Sequence, residues 1–183
     1  MSESYEVLVL IPEKLPVKEV VYQTHQIISE MGGYIDEDCM LILNDTKDIS
    51  PDIEYIYNDE VALNQLINWP ALGGINYAMP DAIITVEYAG EYAESTVQAI
   101  RITIPDTIIF ALDGSESKDR YASLASVLHE RLRAKRTIVD WGLMYRGIYW
   151  KEEIERLNNG EYLGNYSIDL RAEKEASKQG LVA

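Results

Sequence analysis

The chain has 183 residues and carries 31 Asp and Glu against 16 Lys and Arg, a formal charge of -15. A field of that sign repels nucleic acid and anionic lipid. No apolar run approaches the roughly 18 to 20 residues needed to cross a bilayer, so nucleic-acid binding and membrane spanning are both set aside.

The hydrophobic fraction of 47% and charged fraction of 26% match chains that fold around one core, and a single domain over residues 1–170 is expected. The opening Met1-Ser2-Glu3-Ser4 lacks a basic segment followed by an apolar stretch, which predicts no secretory leader and a cytoplasmic location. Cys39 is the one cysteine, so no disulfide can form within the chain; its apolar neighbours predict a buried, inert thiol. The charge is uneven. Through Gly114 there are 20 acidic and 4 basic residues; from Ser115 onward there are 11 and 12. Solubility alone would account for an acidic surface, whereas a basic protein partner would use it for steering.

In chain order, Val7 to Ile11 is apolar on both alternating faces and predicts a central strand. Val17, Val20, Val21, Thr24, Ile28 and Met31 then recur at helical spacing between Pro16 and Gly32-Gly33, which predicts an amphipathic helix with those residues buried. Cys39 to Leu43 and Ile53 to Tyr57 predict short strands, and Asn58 or Asp59 caps a brief helix stopped by Trp69-Pro70. Residues 71–80 have no period and hold four breakers, Gly73 and Gly74 among them, which predicts an apolar loop. Alternation over residues 82–88 and 99–104 predicts an antiparallel hairpin, and residues 107–112 a third strand. Helices follow over residues 117–136, with Arg131, Arg133, Lys135 and Arg136 crowding the C-terminal end, and over residues 148–157, where Glu152 and Arg156 are spaced for a pair. Residues 166–170 predict an edge strand, and residues 171–183 a polar, frayed tail. The expected fold is α+β: a mostly antiparallel sheet of about five or six strands with two main helices packed on one face.

Standard chemistry is scarce. His25, His129 and Cys39 lie too far apart in sequence for zinc spacing, and the phosphate loop, dinucleotide fingerprint and serine elbow are all missing. The acidic clusters Asp36-Glu37-Asp38 and Asp45, Asp48, Asp52 do not match a calcium loop. No metal or cofactor is expected. Glu87 and Glu91 are the candidate carboxylate pair. The densest binding chemistry lies between Asp140 and Trp150, where Trp141, Tyr145, Arg146, Tyr149 and Trp150 fall around Gly142 and Gly147; such residues dominate binding hot spots, although aromatics between helices also serve to close cores.

These features favour a non-catalytic acidic protein-binding domain (an inhibitor, immunity-type protein or assembly subunit) docking a basic partner or a second copy, with no nucleic acid and no membrane. The alternative is a small enzyme using scattered Asp, Glu, Arg and Tyr side chains in a pocket near the Gly73-Gly74 loop.

Overall fold

A computed structural model of the chain describes residues 4–37, 39–43, 52–56, 58–68, 72–90, 96–105, 114–143 and 151–172. Within them the order is β1 (Tyr5–Pro16), α1 (Val17–Glu30), β2 (Tyr34–Ile35), β3 (Cys39–Leu43), β4 (Asp52–Ile56), α2 (Asp59–Asn68), β5 (Leu72–Ala78), β6 (Ile83–Ala89), β7 (Thr96–Ile104), α3 (Gly114–Arg131), β8 (Arg136–Trp141), α4 (Lys151–Asn158) and β9 (Ile168–Arg171). The nine strands form one sheet in the order β4-β3-β5-β6-β7-β1-β8-β9, with β2 also pairing β5. Every pairing is antiparallel.

The architecture is therefore α+β and antiparallel, with more strands than the sequence pattern predicts and four helices among the described residues. Three corrections explain the difference. Residues 72–78 are a strand and not a loop. Tyr34–Ile35 adds a two-residue strand, too short to show a period. The helix expected to run to residue 136 stops at Arg131, and Arg136–Trp141 forms β8. The third strand predicted at 107–112 and the tail from 173 lie outside the described residues.

β1 is an interior strand, two from the β9 edge and bonded to β7 on one side and to β8 on the other, with Val7 opposite both Ile102 and Val139. Its alternation divides the core. Val7, Val9 and Ile11 join α1 (Val20, Val21, Ile28), α2 (Leu63, Leu66) and α3 (Tyr121, Leu124, Leu128) in one large cluster. Leu8 and Leu10 join Ile154 and Leu157 of α4, with Ala89, Ala99, Ile138 and Leu143, in a smaller cluster on the other face.

α1 buries Val17, Val20, Val21, Thr24, Ile27 and Ile28, while Met31 is half-buried. Its end is a tight reversal in which the Gly33 N–H donates to Ile28 O, the Gly32 N–H donates to Ser29 O, and Gly32 sits at φ 87°. Only a residue without Cβ enters that region freely. α3 closes with the same bond pattern, Ala134 N–H to His129 O and Arg133 N–H to Glu130 O, yet the left-handed position holds Arg133 at φ 51°. α2 is capped by Asn58, whose Oδ1 accepts the Val61 N–H at 3.1 Å. Asp81, in the turn between β5 and β6, ties that turn to α3: it accepts hydrogen bonds from Ser117 Oγ (2.6 Å) and Tyr121 Oη (2.7 Å) and pairs with Arg120 (2.7 Å).

Candidate interaction surface

Strands β5 and β6 present one face to the helices and the other outward. On β6, Ile84, Val86 and Tyr88 are sealed in the large cluster. Pleating then turns Ile83, Thr85 and Glu87 to the opposite side. α4 and its small apolar cluster lie over β1 and β8 and reach only the Ala89–Ala99 end of this region. Away from that cluster, three large side chains stand in solvent: Tyr34 is 59% exposed, Tyr55 64% and Ile83 51%. Tyr34, Ala78 and Ile83 are register partners across β2, β5 and β6. Tyr55 belongs to the same side, because its neighbour Ile56 is buried opposite Cys39 in the helical core.

The sequence that builds this half of the sheet is also acidic. From Gly32 to Ile100 the sequence has thirteen Asp and Glu and one basic residue, Lys47. That stretch supplies β2, β3, β4, α2, β5 and β6. Asp36 and Glu37 sit between β2 and β3, and Asp59 and Glu60 are exposed on the first turn of α2.

A polar row crosses the middle of the same face. Arg101 on β7 donates from Nε to Glu6 Oε1 at 2.9 Å, and its Nη2 lies 2.8 Å from the same oxygen. Glu6 and Arg101 are only 2% and 7% exposed. Glu87 is the register partner of Arg101 on one side and of Gly74 on the other. Burial raises the Glu87 carboxyl above the usual carboxylate range; the Arg101 charge opposes this and the Glu6 charge adds to it. Beside it, Thr85 Oγ1 donates to Asn76 Oδ1 at 2.9 Å.

The sequence-predicted residues fare differently. Trp141 ends β8 half-buried, its ring tilted against Tyr5 at 5.1 Å between centroids, with Lys118 Nζ 6.0 Å from its centroid. Tyr145, Arg146, Tyr149 and Trp150 lie outside the described residues, as do Glu91, Asp38, Asp45 and Asp48. Gly73 and Gly74 lie inside β5, so the loop that was to roof a catalytic pocket does not exist. A Cβ at Gly74 would stand 2.8 Å from Glu87 Cγ and 3.0 Å from Val86 O; the glycine is there because a neighbouring side chain occupies its space. Arg156 pairs with Glu161 at 2.8 Å.

His25, on the border of the helical core, shares a 2.9 Å hydrogen bond with Tyr77, and burial lowers its pKa while Asp59 opposes the shift. Cys39 is buried, and desolvation followed by the charges of Asp59 and Asp36 pushes its thiol up to about 11. That removes it as a nucleophile near neutral pH. At the opposite end of the sheet a cleft of about 620 Å³ is lined by His129, Arg133, Leu170 and Arg171 among others. Both His129 ring nitrogens are engaged: Nε2 donates to Arg171 O at 3.0 Å and Nδ1 shares a 2.8 Å bond with Thr137 Oγ1. Among the described residues no group of three or more His, Cys, Asp or Glu is placed to hold a metal ion, and no helix is long and apolar enough to cross a membrane.

Tyr34, Tyr55 and Ile83 were missed because their exposure depends on which part of the sheet the helices leave bare. The nearest local signal was the alternation of residues 82–88, which marks one wetter face without naming its neighbours.

No family model matches the chain, and no curated protein matches its sequence. Among solved structures it is similar to Pseudomonas aeruginosa T6SS protein PA0821, with a TM-score of 0.43 and 8% identity over 76% of this chain. The matched region spans 42% of that protein's chain.

Proposed function

We propose that the protein is a non-catalytic, acidic protein-binding domain of the inhibitor, immunity or assembly-subunit kind, acting in the cytoplasm on a basic partner. One observation carries the reading: three large apolar side chains, Tyr34, Tyr55 and Ile83, are exposed on the part of the sheet built from the most acidic stretch of the chain. Aromatic and branched side chains supply contact area, and the surrounding carboxylates steer a basic surface and reject an acidic one. The connection from Trp141 to Trp150 is a second contact region in this reading, with Tyr145, Arg146, Tyr149 and Trp150 as its contacts and Trp141 as its anchor to the sheet.

The test is affinity capture at low and high salt, repeated with Tyr34→Ala, Tyr55→Ala, Tyr145→Ala and Arg146→Ala. A basic protein that is lost at high salt, and whose binding falls by more than about 1 kcal/mol in these variants at unchanged melting temperature, supports the reading. Variants that unfold the chain with no binding-specific loss assign these side chains to packing and remove it.

A further inference from the structure

We propose that His25 and Tyr77 form a proton-operated latch between α1 and β5, closed while the imidazole is neutral and weakened when it takes up a proton; it stands independently of the binding reading above. His25 Nδ1 lies 2.9 Å from Tyr77 Oη, and the two rings are tilted against each other with centroids 5.7 Å apart. Tyr77 is fully buried, whereas His25 is half-buried at the border of the helical core. Among the described residues the Tyr77 hydroxyl makes no other hydrogen bond. Burial, followed by Tyr88, Cys39 and Asp59, raises its pKa well above the ordinary value, so the hydroxyl keeps its proton throughout the neutral range.

A buried O–H needs an acceptor, and the unprotonated Nδ1 is the one the fold provides. The bond therefore runs from the Tyr77 hydroxyl to Nδ1, which assigns the proton of the neutral imidazole to Nε2. Protonating Nδ1 turns an acceptor into a donor. The bond must then reverse, and the Tyr77 proton is left in the core without an acceptor among the described residues. Burial lowers the His25 pKa, and the charge of Asp59 at the start of α2 opposes the shift. A folded-state pKa below the unfolded value adds stability that is full above the unfolded value, about 6.5, and is lost as pH falls through the folded one. The other surroundings of α1 among the described residues are neutral or already paired. Val21, Tyr22, Ile28 and Ser29 stand one turn from His25, with Ser29 Oγ donating to His25 O. β1 and β7 contribute Val9, Val97 and Ile100 to the same core, β3 brings Cys39 with its thiol held protonated, and α3 meets α1 through Arg131 paired with Glu30.

The experiment follows the two histidines of the full chain by nuclear magnetic resonance from about pH 8 to about pH 5, with His25→Gln assigning the signals. The nitrogen shifts of neutral His25 should report a proton on Nε2. Its titration should fall at lower pH than that of the same residue in the urea-unfolded chain. Tyr77→Phe keeps the ring and removes the hydroxyl, so it should move the titration up toward the unfolded value. Protection of the α1 amides against hydrogen exchange, corrected for the intrinsic effect of pH, should drop by about tenfold across the titration in the unsubstituted protein and stay level in His25→Gln. A proton on Nδ1 in the neutral form, a titration matching the unfolded chain, or a folded Tyr77→Phe variant that titrates where the unsubstituted protein does, overturns the latch. Should Tyr77→Phe fail to fold, the nitrogen shifts and the titration of the unsubstituted protein decide between the same outcomes.

Discussion

Ile83 and Ile84 are chemically identical neighbours on β6, yet one is half exposed and the other sealed in the helical core. The same division runs along the strand, with Val86 buried and Glu87 turned away, and it sets the helix-covered face of the sheet against the half of its other face that no described helix covers. On the covered face, α1, α2 and α3 contribute to one large cluster, so each side chain is held by several elements. On the other half, Tyr34, Tyr55 and Ile83 stand more than half exposed. Stability should reside in the first region, and binding can change in the second without unfolding the chain.

The largest expected effect lies between these regions. Glu6→Ala would remove the carboxylate 2.8 Å from Arg101 Nη2, a cation only 7% exposed, and should cost about 3 to 5 kcal/mol in chemical denaturation. A smaller loss would mean that solvent or other groups already share the charge. The face comparison is tested by paired truncations: Ile28→Ala in α1 should cost about 2 to 5 kcal/mol by opening a cavity, while Ile83→Ala should stay within about 0.5 kcal/mol. Similar midpoints for the two variants would erase the distinction.

Asp81 provides the next test. Burial pushes its carboxyl up, but the hydrogen bonds from Ser117 and Tyr121 and the charge of Arg120 outweigh this and lower its pKa on balance. A lowered folded-state pKa adds stability that is full above the unfolded value and lost as pH falls through the folded one. Asp81→Asn should therefore cost about 1 to 2 kcal/mol near neutral pH, and the gap to the unsubstituted protein should close in acid, below about pH 4. A pH-independent difference would assign the effect to packing. The smallest effect is a gain: Arg133→Gly should raise stability by about 1 kcal/mol, because the left-handed closure of α3 then carries no Cβ penalty.

Arg133 also explains a misreading of the sequence. The ends of α1 and α4 are written in glycine, Gly32 and Gly160, both at positive φ, and the α1 stop was legible. α3 makes the same turn on an arginine among other cations, so the helical pattern ran on to Arg136 and concealed the start of β8. β5 was hidden by the opposite error, in which Gly73-Gly74 suggested a loop although Gly74 is a strand residue making room for Glu87. α1 was readable because proline, period and glycine agree locally. The polar row of Glu6, Arg101 and Glu87 was not readable, since strands far apart in sequence bring it together; Glu87 was singled out, but with Glu91 as its proposed partner.

The sheet ends on β4 and β9, and among the described residues no strand pairs with the outer side of either. An unpaired strand invites the same strand of another molecule, and charge along it is a common deterrent. β4 has Asp52 and Glu54 within five residues, next to a helix beginning Asp59-Glu60. Acidic residues in an edge strand disfavour its pairing with a second copy.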